Sequence, residues 1–216
     1  LLVAGKFDEA RTLAMIGKYF SVIPKPTREL PVLWTVEPTQ DGERQVFVRR
    51  KGDIQIIALG YKLPSSIHPD ANAVDFINTT LTDSPTGRLH KALVETGKAA
   101  QIIGFPLPGR DGILHLIGAV VKKGEDIAPV QAVLIKIVEG FGDNPPTMEE
   151  MERVRKAAAN SAERSMNNHE SIGVALSEYI ALGDWRLFSK TVTTPQKQPL
   201  PMCRLAPANI IDATIA

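Results

Sequence analysis

Apolar and polar positions alternate along this chain with two different periods, and the switches between them predict its elements. Leu1 to Ala4 reads as a short apolar strand that begins without a polar lead-in or a methionine. Phe7, Leu13, Ile16 and Phe20 then recur at spacings of six, three and four, with Asp8 and Glu9 near the start, where the helix dipole favours acids. Pro24, Pro26, Pro31 and Pro38 punctuate a stretch that cannot hold a helix and predicts an extended linker. Two strands follow, "RQVFVRR" with Val46 and Val48 in alternation and "IQIIALGYKLP", apolar almost throughout.

Helical spacing returns at Ala73, Val74, Ile77 and Leu81, and "SPTGRLHKALVETGKA" predicts a second helix with Ser84 as cap, Pro85 at the first helical position and Gly97 closing it. "AAQIIGF" and "GILHLIGAVVKKG" predict a pair of antiparallel strands joined through Pro106, Pro108, Gly109 and Gly112. The rest is helical: Val130 to Phe141 on one broad face, then a helix opened by a Thr147–Glu150 capping box with Met148, Met151, Val154 and Ala158 inward, then "HESIGVALSEYIALGDWRLF". Strands, two helices, a hairpin and three helices predict an α+β fold, a mostly antiparallel sheet with helices packed on one face. From Ser189 the period is lost, so residues 189–216 are expected to be irregular, and truncation after Phe188 to change stability little.

Composition narrows the function more by exclusion than by assignment. Of 216 residues, 44% are hydrophobic, enough to bury a core, and 25 Lys and Arg against 24 Asp and Glu leave a net charge of +1. No global field draws such a chain to nucleic acid or to a membrane surface, and Arg49, Arg50 and Lys51 form the sole run of three basic residues. Cys203 is the single cysteine, so neither an internal disulfide framework nor a cysteine-only metal cluster is available. No run approaches 18 consecutive apolar residues.

The side chains that carry chemistry are scattered. His68, His90, His115 and His169 never pair at ligand spacing, and no H-x-x-E-H, H-E-x-x-H or H-x-H occurs. His169 beside Glu170 fits a solvated or capping place at a helix start; His68 falls in a turn before a proline, and His90 lies on a helix surface beside Lys91. His115 is expected as a half-exposed sheet residue, with Leu114 and Leu116 on the opposite face. Ser65 and Ser66 lack a nucleophile elbow, Ser84 is accounted for as a cap, and Cys203 falls in the irregular tail. "SPTGR" lacks the glycines and lysine of a phosphate loop, and Asp70 and Asp75 do not share a helix face. No catalytic, cofactor-binding or metal-ligating set emerges from the residues.

The order of motifs nevertheless resembles the pitrilysin and insulinase family of zinc metallopeptidases. "LLVAGKFDEARTLAMIGKYFSVIPKP" is similar to the strand and helix that close one domain of that family, where V-x-G-x-F-D precedes a helix ending K-Y-F-x-x-I-P. "IQIIALGYKLPSSIHPDANAVDFINTTLTDSPTGRLHKALVETGKA" resembles the opening of the next domain, with its G-Y, its P-D and its S-x-R-L helix matched at Arg88 and Leu89. "NNHESIGVALSEYIALGDWRLF" looks like a late helix of that domain, and the likeness covers about residues 1–188. The resemblance implies a division into residues 1–30, the last strand and helix of a preceding and mostly missing domain; 31–43, a linker; 44–188, a non-catalytic α+β domain; and 189–216, an irregular tail. In the tail, Val192 to Pro195 and Leu205 to Asn209 echo the two ends of a family helix while "QKQPLPMCR" matches nothing, which suggests a shifted reading frame in the source sequence.

The functional implications follow from the same resemblance. The family's zinc is held by H-x-x-E-H and a further glutamate in the earlier part of the preceding domain, so no residue of this chain inherits a ligand or general-base role. Members with a substrate-gripping domain carry an arginine and a tyrosine after the S-x-R-L helix; aligned on Arg88 and Leu89 those positions are Val94 and about Ala100, so the peptide-holding pair is missing. The implied function is a non-catalytic domain of a zinc metalloendopeptidase that helps to enclose peptide substrates. Its implied partners are the upstream zinc-bearing domain and a peptide, with neither nucleic acid nor membrane, and its implied place is the bacterial periplasm. The alternative is a structural subunit of a peptidase-like complex with no catalytic role.

Overall fold

A computed structural model describes residues 1–29 and 40–188 and the backbone of a strand at 209–215. Helix α1 (Glu9–Phe20) starts where Asp8 accepts a hydrogen bond from the Arg11 amide at 2.7 Å. Leu1 to Ala4, expected as a strand, pairs with no strand among the described residues; it runs instead beside a later helix, where a Cβ added to Gly173 would lie 3.1 Å from that of Ala4. Most of the expected linker falls on residues 30–39, outside the described residues.

Five strands form one sheet in the order β1-β5-β2-β4-β3: β1 (Gln45–Arg50), β2 (Ile54–Leu63), β3 (Gln101–Leu107), β4 (Ile113–Lys122) and β5 (Asn209–Ile215). The β2–β4, β3–β4 and β2–β5 pairs are antiparallel and β1–β5 is parallel, so the sheet is mostly antiparallel. β5 corrects the expectation for the tail. A strand at residues 209–215 inserts between β1 and β2, a long-range pairing that local periodicity does not encode, while residues 189–208 of the expected tail lie outside the described residues.

One face of the sheet is covered by helices. α2 (Ala71–Thr82) buries Ala73, Val74, Ile77 and Leu81, and α3 (Ala128–Glu139) buries Val130, Leu134 and Val138. They meet Ile57, Leu59, Tyr61, Ile117, Ala119 and Val121, which project from alternate positions of β2 and β4. α2 ends so close to β3 that a Cβ on Gly104 would collide with Thr82, so only glycine fits there. Farther out, α4 (Met148–Met166) buries Val154 while Met148, expected to point inward, is exposed, and α5 (His169–Leu182) ends at Gly183 in the left-handed region.

The helix expected from Ser84 begins later. The Gly87 amide donates to the Asp83 carbonyl at 2.7 Å and the Thr86 hydroxyl to the Asp83 carboxylate at 2.7 Å, so Asp83, not Ser84, organises the turn. Residues 88–94 are helical, with π-type bonding over His90–Val94, and Leu89 and Leu93 are fully buried. Gly97 closes the segment at φ +74°.

Candidate functional site

Two polar constellations and one open surface are the candidates for function. The most elaborate centres on Arg88, whose Nε and Nη2 donate to the two carboxylate oxygens of Glu150 at 2.9 and 2.8 Å. Its Nη1 donates to the Asn144 carbonyl at 2.6 Å and Nη2 also to the Pro145 carbonyl at 3.0 Å, while the guanidinium carbon lies 5.2 Å from the Phe141 ring centre. Glu150 in turn accepts from the Thr147 amide at 2.8 Å, and its own amide donates to the Thr147 hydroxyl at 3.2 Å, completing the predicted capping box. The side-chain bond from Arg88, with the Thr147 amide adding to it, holds the Glu150 carboxyl well below the usual range, at about 2. This arginine ties residues 88–94 to the α3–α4 turn and the start of α4. Four of its five N–H groups are used by the protein itself, so Arg88 is a strut.

The second constellation is His115, expected half-exposed and found almost fully buried. β4 turns Ile113, His115, Ile117, Ala119 and Val121 toward the helices and Leu114 and Leu116 away, one residue out of phase with the expected facing. His115 Nε2 lies 2.9 Å from Asn78 Oδ1 on α2 and acts as donor in the neutral imidazole, since the amide oxygen can only accept. Burial pushes its pKa down to about 4. Across the ladder its neighbour is Tyr61, whose hydroxyl is buried with no hydrogen-bond partner among the described residues and whose pKa is raised, chiefly by burial. A neutral imidazole facing an amide and packed beside a phenol lacks the charged partner and the substrate access that acid–base work needs.

The other expected candidates stay apart. His68 Nδ1 accepts from the Asp70 amide at 3.2 Å in the turn before α2, and Asn168 rather than His169 caps α5. Ser66 Oγ accepts from the Gly109 amide at 3.0 Å and fixes the turn between β3 and β4. Cys203 lies outside the described residues. Among the described residues no group of three or more His, Cys, Asp or Glu could hold a metal ion, so these side chains do not fit zinc. No described helix is long and apolar enough to cross a membrane.

The open surface is the other face of the sheet. The register places Val46 and Val48 of β1, Ile54, Ile56, Ala58 and Gly60 of β2, Leu114, Leu116, Gly118 and Val120 of β4, and Ile103, Phe105 and Leu107 of β3 on one side. The described helices that pack on the sheet lie on the opposite side, and Val46, Ile54, Phe105, Leu107 and Leu114 are between 37% and 51% exposed. From strand rise and spacing, this face measures about 27 by 19 Å, roughly 500 Å². The apolar side chains left exposed on β1, β2, β3 and β4 make this face a candidate interaction surface. Sequence reasoning missed it, although β2 and β4 reading as apolar on both faces was the available signal.

Comparison with known proteins bears on this arrangement. Residues 1–158 match the family model described as the peptidase M16 inactive domain. The zinc protease PqqE of Helicobacter pylori is 21% identical over 187 residues, 85% of this chain and 42% of that protein. A crystal structure of a protease from Helicobacter pylori superimposes with a TM-score of 0.89 at 16% identity, over 98% of this chain and 54% of the other. A Bordetella parapertussis structure, described as the inactive peptidase domain of a candidate zinc protease, has a TM-score of 0.63 at 34% identity and covers 71% of this chain and 84% of its own. The chain thus spans about half the length of the Helicobacter proteins it matches.

Proposed function

The chain belongs to the peptidase M16 inactive-domain family, and we propose that it is the non-catalytic domain of a zinc-dependent metalloendopeptidase, where it helps to enclose peptide substrates. The observation that carries this reading is the open sheet face. A sheet whose described helices α2 and α3 pack on one side leaves an apolar wall on the other, and such a wall suits an unfolded peptide better than it suits water. The described side chains support no metal set, so the activated water and general base that peptide cleavage needs would come from a zinc-bearing domain of the same or a partner chain.

The proposed division of residues follows: 1–30 complete that preceding domain, 31–43 link, and 44–188 with β5 form the enclosing domain. α1 supports it, because none of its residues is buried, and Leu13, Tyr19 and Phe20 present apolar surface that the described residues leave uncovered. The test is to mix the chain with the zinc-bearing segment that precedes it and to follow hydrolysis of a quenched fluorescent peptide. Activity should appear in the mixture and vanish with a chelator. Equal activity of the zinc-bearing segment alone would sink the enclosing role and favour a structural subunit.

A further inference from the structure

Resting on the reading of the open sheet face as a peptide surface, we propose that it selects apolar segments carrying a carboxylate at one end, and that Arg50 and Lys122 read that carboxylate. The register puts both residues on the open face in its last row, with Ile54 beside Lys122 on β2. Three strand spacings separate them, about 14 Å. Two side chains of this length, reaching toward each other from either side of the row, can converge on one anionic group or hold two.

The acids near this end form no ion pair with Arg50 or Lys122 among the described residues. Lys123 is turned to the Gly52 carbonyl at 3.0 Å and to Asp53 at 3.8 Å, so the nearest acid of the β1–β2 turn is already engaged. In the turn after β4, Asp126 caps the Ala128 amide, while Glu125 meets Gln55 through its backbone carbonyl and its side chain is exposed. Among the described residues neither Arg50 nor Lys122 is in an ion pair, and Arg49 and Lys51 add to the same corner. No Asp or Glu lies among the described residues of the open face. From Ile54 to Lys62 the wall is about 27 Å long, room for about eight residues of extended peptide. The occupant that fits is therefore an apolar stretch of that length with its acidic group beside the Arg50–Lys122 row, whether an Asp or Glu side chain or a chain terminus.

The experiment uses the full chain and fluorescence anisotropy with labelled peptides that share one apolar eight-residue core. One carries two Asp at its end, one two Asn and one two Lys, and a fourth ends in a free carboxylate against its amide. At low salt the Asp peptide should bind about fivefold more tightly than the Asn peptide, and the Lys peptide more weakly still. Arg50→Glu with Lys122→Glu should reverse that order, so that the Lys peptide binds more tightly than the Asp peptide. A preference of the free terminus over the amide would identify a chain end as a carboxylate source the row accepts. Equal binding of all three peptides, or an Asp preference that survives the double substitution, overturns the selectivity and leaves the peptide surface standing. Failure of every peptide to bind overturns both.

Discussion

The two faces of the sheet are built from the same strands with the same alternation, yet they have different fates. On one, Ile57, Leu59, Tyr61, Ile117 and Val121 lie under α2 and α3 and are almost wholly buried. On the other, Ile54, Phe105, Leu107 and Leu114 are as apolar and remain exposed. Folding accounts for the first set, because burying those side chains stabilises the domain by about 1.5–3 kcal/mol each. It does not account for the second, which contributes little while it faces water. Apolarity that the fold does not consume points to something the protein meets, and this contrast is what supports the proposed peptide surface.

The comparison can be broken at its shared element first. Truncation after Phe188 removes β5, which separates β1 from β2, so both faces should fail together and the melting temperature should drop by about 10 °C or more. An unchanged thermal transition would mean that the strand adds nothing. Next, the same truncation of a side chain should cost unequally on the two sides. Leu134→Ala, at a fully buried position, should lower stability by about 3 kcal/mol in urea denaturation, and Leu114→Ala on the open face by less than about 1 kcal/mol. Equal costs would erase the distinction.

His115 supplies a pH test confined to the covered face. Its folded pKa of about 4 lies below the ordinary 6.5, so the unfolded chain binds the proton more readily. The stabilisation is complete above pH 6.5 and is lost as pH falls toward 4, on the order of 3 kcal/mol in all. His115→Gln, which keeps a donor toward Asn78, should flatten that part of the profile. Arg88→Ala should cost about 2 kcal/mol, since it strands the Glu150 carboxylate and two backbone carbonyls; a denaturation midpoint within error of the parent would rule out the strut. The smallest effect expected is that of Thr147→Ala, about 1 kcal/mol for the lost cap of α4.

Much of this was legible from the sequence wherever the determinant is local. Thr147 and Glu150 are three residues apart, and the box they predict is the one that forms. Ala73, Val74, Ile77 and Leu81 lie on one stripe of α2 and are buried together. What escaped depends on distance or on symmetry. Arg88 and Glu150 are 62 residues apart, and β5 pairs with strands more than 140 residues away, so neither shows in any window of sequence. Ser84 has the look of a cap, but Asp83 competes successfully for the same turn. His115 was assigned the wrong face because β4 is apolar at both odd and even positions, and period two then says nothing of which side the helices take. The ambiguity that hid the facing of β4 is the same property that leaves its other side apolar.

The most direct test of that surface is to titrate the isotopically labelled chain with an unfolded apolar peptide and follow its methyl resonances. Shifts should concentrate at Ile54, Ile56, Ile103, Leu107, Leu116 and Val120, while methyls of Ile57, Leu59, Ile117 and Leu134 beneath the helices stay in place. Shifts confined to the helices, or to α1 and the segment before it, would contradict the account.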